Sequence, residues 1–426
     1  MGRLAAHEPV RSAGVPRGLT GPSAGREGWR GRKLGRPSHA LAKERTLPAG
    51  RSGPRILFDA TAVPADRGGV GRYVDGLVGA LAEAGADLAI VCQRADAERY
   101  SQLDPDAKVI PAPAAVAHRP ARLAWEQTGL PLVAQQVDAD VVHSPHYTMP
   151  LRAGRPVVVT VHDATFFTDP ELHSSVRGTF FRSATRTALR RATRVVVPSK
   201  ATRDEVVRVL DADATTVDVA YHGVDQTTFH VPTSDEKQRV QARLGLAGQP
   251  YVAFLSVLEP RKNVPGLVRG WVQACEGRAE PPALVLAGGA GWDDQVDRAI
   301  AEVPTHLRVL RPGYLRPPDL PGFLGGAQVV AYPSHGEGFG LPVLEAMACQ
   351  APVLTTPRLS LPEVGGDAVA YTEPDPEAIA AALTALLDDP QRRAELAEAG
   401  HARSLEFTWA ASAAAHLTAY ERAVAP

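Results

Sequence analysis

Pro333-Ser334-His335-Gly336-Glu337-Gly338-Phe339-Gly340-Leu341-Pro342-Val343-Leu344-Glu345-Ala346-Met347-Ala348 follows the apolar run 329–332 and opens a helical stretch. A strand that passes through a glycine-rich loop into a helix is half of a βαβ unit. Pro342 sits where a first-turn proline is tolerated, because its missing N–H would be unpaired anyway. Gly336, Gly338 and Gly340 let the backbone approach a ligand closely, and the free amides of a helix start favour an anionic or hydroxyl-rich group. Glu337 falls in the loop and Glu345 about one turn inside the helix, so the two carboxylates can grip two hydroxyl-bearing parts of one extended ligand. The plainer alternative makes Glu337 a solvated loop acid and Glu345 a surface helix residue.

The same alternation runs outward in both directions. Short β-branched runs at 56–59, 88–92, 141–143, 157–161 and 195–197, separated by helical stretches such as 73–84 and 176–191, predict a parallel sheet covered on both faces. Runs at 251–257, 284–287, 307–310, 329–332 and 353–355 predict a second. The fold class expected is α/β, with two Rossmann-like doubly wound domains facing across a cleft and C-terminal helices broken at Asp389-Pro390 and around Thr408. The join is expected in the polar stretch 226–234, giving domains of 55–228 and 229–426, with the last helix free to cross back. In such units ligands bind outside the carboxyl ends of the strands.

The 426 residues, 44% hydrophobic and 22% charged, suit two domains of ordinary size. Near-equal counts, 46 Lys+Arg against 47 Asp+Glu, argue against nucleic acid as a partner. Residues 1–54 differ, with eleven basic side chains against three acidic ones and a Gly, Pro, Arg and Ser composition that cannot offset chain entropy. They read as a disordered basic head, either a tail with a purpose or sequence upstream of a misplaced start; a chain beginning near Arg55 is expected to keep fold and activity. Cys92, Cys275 and Cys349 have neither zinc-site spacing nor a disulfide framework. No apolar run approaches the roughly 20 residues of a membrane span. A cytoplasmic enzyme is expected.

Further constellations lie at predicted strand ends. Arg261 and Lys262, in Ser256-Val257-Leu258-Glu259-Pro260-Arg261-Lys262-Asn263, are two cations near a helix start, which is electrostatically awkward unless an anion such as a diphosphate compensates them. Asp59-Ala60-Thr61 leads to Gly68-Gly69-Val70-Gly71-Arg72-Tyr73, which lacks the third glycine of the dinucleotide fingerprint but reads as a loop able to cradle phosphate or acceptor through Gly69 and Gly71. His162-Asp163 ends one strand, so that His162 can donate a hydrogen bond to a sugar hydroxyl or phosphate, while His143 and His146 end its neighbour and are candidates to shape the acceptor side. Each of these histidines has the alternative of simple packing. Asp138/Asp140 and Asp211/Asp213 read as turns, with no metal. Arg182, Arg186, Arg190 and Arg194 recur every four residues and predict a cationic ridge, either a solvated face or a peripheral contact with an anionic membrane.

Residues 333–348 resemble the E-x7-E motif of family-4 retaining glycosyltransferases, which have the GT-B fold, and the resemblance extends over roughly 55–425. It is closest to mannosyltransferases that use GDP-mannose. It implies that Glu337 approaches the donor sugar, with Gly338, Phe339, Gly340 and Leu341 beside it, and that Glu345 binds the nucleotide ribose. Arg261 and Lys262 would hold the donor diphosphate, Gly69 and Gly71 would lie beside phosphate and acceptor, and His162 would touch the transferred sugar. The implied reaction moves a hexose, mannose first, from a nucleotide diphosphate sugar to a hydroxyl of a glycan, glycolipid or small polyol. The anomeric configuration is retained, without metal or cofactor, and the diphosphate takes the acceptor proton. A nucleotide-sugar epimerase of the same fold and a non-catalytic nucleotide-sugar binding protein are the rival readings.

Overall fold

The computed structural model describes residues 53–64 and 67–425. The expected disordered head thus falls, but for its last two residues, outside the described residues. Seven strands form the first sheet: β1 (Ile56–Asp59), β2 (Leu88–Cys92), β3 (Lys108–Pro111), β4 (Val141–Ser144), β5 (Val157–Thr160), β6 (Arg194–Val197) and β7 (Val217–Val219). Six form the second: β8 (Tyr251–Leu255), β9 (Ala283–Ala287), β10 (Val309–Gly313), β11 (Val329–Tyr332), β12 (Val353–Thr355) and β13 (Ala370–Tyr371). Every pairing is parallel, as with Ile56 opposite Leu88 and Val330 opposite Val353. β1, β2, β4, β5, β8, β9, β11 and β12 are buried throughout, which is why they read as mostly apolar runs, with polar residues only at the carboxyl ends of some, rather than alternating ones. The sequence pattern misses β3, β7 and β13 and places β10 too early. β3 and β10 are half-wet edge strands, and β13 has only two residues.

Strand order locates the chemistry. The first sheet runs β3-β2-β1-β4-β5-β6-β7 and the second β10-β9-β8-β11-β12-β13. Each order reverses once, between β1 and β4 and between β8 and β11, and a crevice opens at the carboxyl ends of those pairs. Arg261 and Lys262 follow β8, and Glu337 follows β11. Asp59 ends β1, and His146 and His162 lie just past β4 and β5.

The C-terminal helices, Pro376–Asp388, Pro390–Ser404 and Trp409–Val424, break where Asp389-Pro390 and Thr408 fall, and Asp389 and Thr408 cap the helices that follow them. The last packs on the first sheet, placing Ala413, Ala419, Tyr420 and Ala423 in one core with Ile56, Phe58 and Leu77. Among the described residues no helix is long and apolar enough to cross a membrane.

Two local expectations need correction. The helix expected over 73–84 spans Gly68–Glu83, so Gly69 and Gly71 lie in its first turns and not in a loop. Burial of Val63, Tyr73 and Val74 in the core outweighs the weak helix propensity of the glycines. The arginine ridge also breaks up. Arg194 lies on β6, paired with Asp218, while Arg182 donates to the Phe166 carbonyl at 3.1 Å and Arg186 lies 4.9 Å from the Phe167 ring.

Candidate active site

On the second half, Pro260–Lys262 forms a single 3-10 turn after β8, and Asn263 in the left-handed region starts the helix Val264–Cys275. This sharp turn aims both cations at the loop after β11. There Gly340, with φ of 104°, ends the loop, and Pro342 lies in the first turn of the helix Leu341–Ala348. Arg261 donates to Glu337 Oε2 at 2.5 Å and to the Gly336 carbonyl at 2.7 Å, while Lys262 Nζ reaches Glu337 Oε1 at 2.7 Å. Ser334 and Tyr332 also donate to Oε1, at 2.7 and 3.1 Å. Glu259 pairs with Arg261 at 2.7 Å. Burial opposes ionisation of Glu337, but the charges of Arg261 and Lys262 outweigh it and pull its carboxyl down to about 2. Burial, then repulsion by Arg261, lowers the Lys262 ammonium. The two cations therefore have an anionic partner within the chain, Glu337.

The two halves touch at this point. The Gly338 backbone lies so close to the His162 carbonyl that a Cβ there would sit 1.8 Å from its oxygen. Thr202 donates to the Gly338 carbonyl at 3.1 Å. Arg72 of the first half pairs with Glu345 at 2.5 Å, and Glu345 is only 2% exposed; burial raises its carboxyl and Arg72 opposes the rise. Glu363 accepts from the amides of Lys200 and Ala201 at 2.9 and 2.6 Å, so an acid of one half caps a helix of the other.

Residues 67–228 match the family described as Glycosyltransferase Family 4, and residues 236–403 match Glycosyl transferases group 1. O-antigen chain mannosyltransferase B of Escherichia coli is 33% identical over 287 residues, 66% of this chain and 74% of that protein. A D-inositol 3-phosphate glycosyltransferase of Xylanimonas cellulosilytica is 31% identical over 421 residues, 88% of this chain and 98% of that protein. The chain belongs to glycosyltransferase family 4. The two parallel sheets are those of a GT-B glycosyltransferase: the crystal structure of Anabaena Alr3699/HepE with UDP-glucose superposes with a TM-score of 0.68, over 86% of this chain and 98% of that one at 21% identity.

In this family-4 glycosyltransferase the expected residues sort by place. Glu337, Arg261, Lys262, Gly338 and His162 meet where the two halves touch, and Glu345 and Leu341 lie on the helix that follows. The Phe339 side chain packs on His222 and Phe407, leaving its backbone at the cleft. His162 donates from Nε2 to the Pro145 carbonyl at 2.8 Å, and burial lowers the ring's pKa. The neutral ring then offers Nδ1 as an acceptor, which corrects the expectation of a donor. Gly71 packs tightly on the Arg67 side chain, and its amide donates to the Arg67 carbonyl at 2.6 Å; Gly69 is exposed. Both glycines belong to the first turns of the helix Gly68–Glu83 and not to a loop.

His143 is a core residue and not an acceptor group. It is fully buried, bonded to Thr160 at 2.9 Å and to Tyr420 at 2.7 Å, because the last helix returns to cover it. Asp138 and Asp211 occupy left-handed turns, Asp140 accepts from the Arg55 amide, and Asp213 caps a 3-10 turn. Sequence reasoning misses Arg72, Tyr332 and Ser334. The last two are within five residues of Glu337, whereas Arg72 meets Glu345 only when the halves are assembled.

Proposed function

We propose that this glycosyltransferase moves a hexose, mannose first, from a nucleotide diphosphate sugar, GDP-mannose first, to an acceptor hydroxyl with the anomeric configuration retained. One observation carries the reading: Arg261 and Lys262 converge on Glu337 at the switch point between β8 and β11. Before the donor arrives, Glu337 compensates the two cations. A diphosphate entering beside them takes over that role, and the freed Glu337 carboxylate turns to the hydroxyls of the sugar. Glu345 exchanges Arg72 for the ribose. The sugar then lies between Glu337 and the Nδ1 of His162, and the halves close over it at Gly338.

As the bond between the anomeric carbon and the diphosphate breaks, negative charge grows on the leaving oxygen, where two fixed cations in a water-poor site stabilise it. They supply the positive charge that a metal would bring, so the proposed reaction is metal-independent. The acceptor hydroxyl attacks from the leaving-group face and passes its proton to the departing diphosphate. The E. coli relative named above supports mannose as the transferred sugar. A thermal-shift panel of GDP, UDP and ADP sugars tests the donor, since a bound ligand stabilises in proportion to the logarithm of its excess over Kd. GDP-mannose is expected to raise the melting temperature most. Product anomer analysis by NMR is expected to show retention, and inversion would overturn the mechanism.

A further inference from the structure

We propose that the acceptor of this glycosyltransferase is anionic, and that its phosphate group is held by Arg119, Arg122 and Arg177 around His146. The inference rests on the transferase reading above and names the substrate class of the same cleft. Arg119 and Arg122 act electrostatically on His146, and Arg177 acts on Arg119. Arg119 and Arg122 open the helix Arg119–Gln136, His146 lies in the loop after β4, and Arg177 lies on the helix Ser175–Arg191. The His146 ring is 5.7 Å from that of His162, so the cluster adjoins the place given to the transferred sugar.

The cluster is short of negative charge. Among the described residues neither Arg119 nor Arg177 meets a carboxylate. The Arg119 guanidinium lies 4.4 Å from the Phe180 ring and 5.7 Å from Phe181, and that of Arg177 lies 4.8 Å from Trp292 in the loop after β9 of the other half. Rings orient a guanidinium plane while leaving its N–H edge open, the geometry in which Arg grips phosphate bidentately. Arg122 is buried; it acts electrostatically on the buried Asp59, and Glu126, 3.4 Å away, also takes the Thr148 hydroxyl at 2.5 Å. Burial pushes the Glu126 carboxyl up to about 7, so even that acid carries its charge reluctantly. Burial, then the charges of Arg122 and Arg177, depress the Arg119 guanidinium. Beside Arg119 and Arg122, His146 Nδ1 is buried without a hydrogen-bond partner, a state that costs free energy until a polar group arrives. A phosphate placed there relieves the repulsion among three cations and gives the ring nitrogen a partner.

The phosphate could come from a soluble sugar or polyol phosphate or from a lipid-linked one, and the experiment separates the two. Inorganic phosphate is titrated calorimetrically into the full chain and into Arg119→Ala, Arg177→Ala and the double variant; each single change removes an exposed side chain and is expected to weaken binding on the order of tenfold. Transfer from the donor that wins the thermal-shift panel is then measured to glucose 6-phosphate and glycerol 3-phosphate, to glucose and glycerol, and to phosphatidylcholine vesicles with and without phosphatidylinositol. Preference for the soluble phosphates, or for the phosphatidylinositol vesicles, supports the anionic site and names its source. The arginine variants should raise KM for that acceptor and leave the KM for donor unchanged. Equal use of charged and neutral acceptors, or phosphate binding indifferent to both substitutions, overturns the inference. If no nucleotide sugar stabilises the protein, the transferase reading fails, while the calorimetry still decides the anion site.

Discussion

Gly338→Ala adds one methyl group where the two halves meet. The backbone at Gly338 is not in the left-handed region, so alanine is tolerated by the local chain, and the effect comes from the contact alone. The new Cβ would lie 1.8 Å from the His162 carbonyl oxygen, whereas real Cβ contacts essentially never fall below 3.0 Å. Closing that shortfall means parting the halves by about 1 Å, and a misplacement of about 1 Å costs on the order of a hundredfold in rate. Gly336→Ala is the control. Its Cβ meets the Leu359 side chain at 2.6 Å inside the same half, where a flexible end can move, and turnover is expected to fall much less. Steady-state release of nucleoside diphosphate is the assay, with nucleotide affinity measured by calorimetry. The expected result for Gly338→Ala is a large loss of turnover with nucleotide affinity kept, because Arg261, Lys262 and Glu345, proposed above to hold the donor, all belong to the second half. Turnover within about threefold of the wild type would refute the claim that this contact closes the productive site.

Three further outcomes follow from the same geometry. Arg72→Met leaves the buried Glu345 without its partner and is expected to cost about 2 kcal/mol in chemical denaturation, below the usual cost of breaking a buried pair because the Arg72 side chain is 36% exposed; Glu345→Gln on that background should restore stability. Tyr420→Phe removes the hydroxyl bonded to His143 and is expected to lower stability by about 1–3 kcal/mol with turnover unchanged, since His143 is a core residue. The third concerns Glu126, held at about 7 by burial, with Thr148, Arg122, Gln127 and Asp59 as its polar neighbours. The folded protein keeps this proton where the unfolded chain has lost it, so the stability it contributes is present below the ordinary carboxyl range and lost as pH rises to 7. In Glu126→Gln that loss is absent, and its stability relative to the wild type should grow between acid and neutral pH by about 3 kcal/mol; a pH-independent difference would contradict the assignment.

What the sequence makes legible is what lies close together in the chain. The glycine loop, Pro342 and the carboxylates Glu337 and Glu345 fall within one segment of sixteen residues directly after the strand Val329–Tyr332, and its reading places the second half of the site. Arg261 lies 76 residues before Glu337, yet their meeting is foreseeable because both follow strands whose carboxyl ends share a crevice. The Arg72–Glu345 pair spans 273 residues and depends on how two domains close, which no local pattern encodes. The same limit explains His143: only the return of the helix Trp409–Val424 turns a strand-end histidine into a core residue. Gly69 and Gly71 mislead in the opposite direction, because local propensity reads a loop where burial of Tyr73 and Val74 imposes a helix.

The most direct test of the cleft as a charge-stabilising site is the turnover of Lys262→Ala at saturating donor. Glu337 keeps Arg261, Ser334 and Tyr332 as partners, so the variant is expected to fold. The account predicts a loss on the order of a hundredfold; undiminished turnover would contradict it.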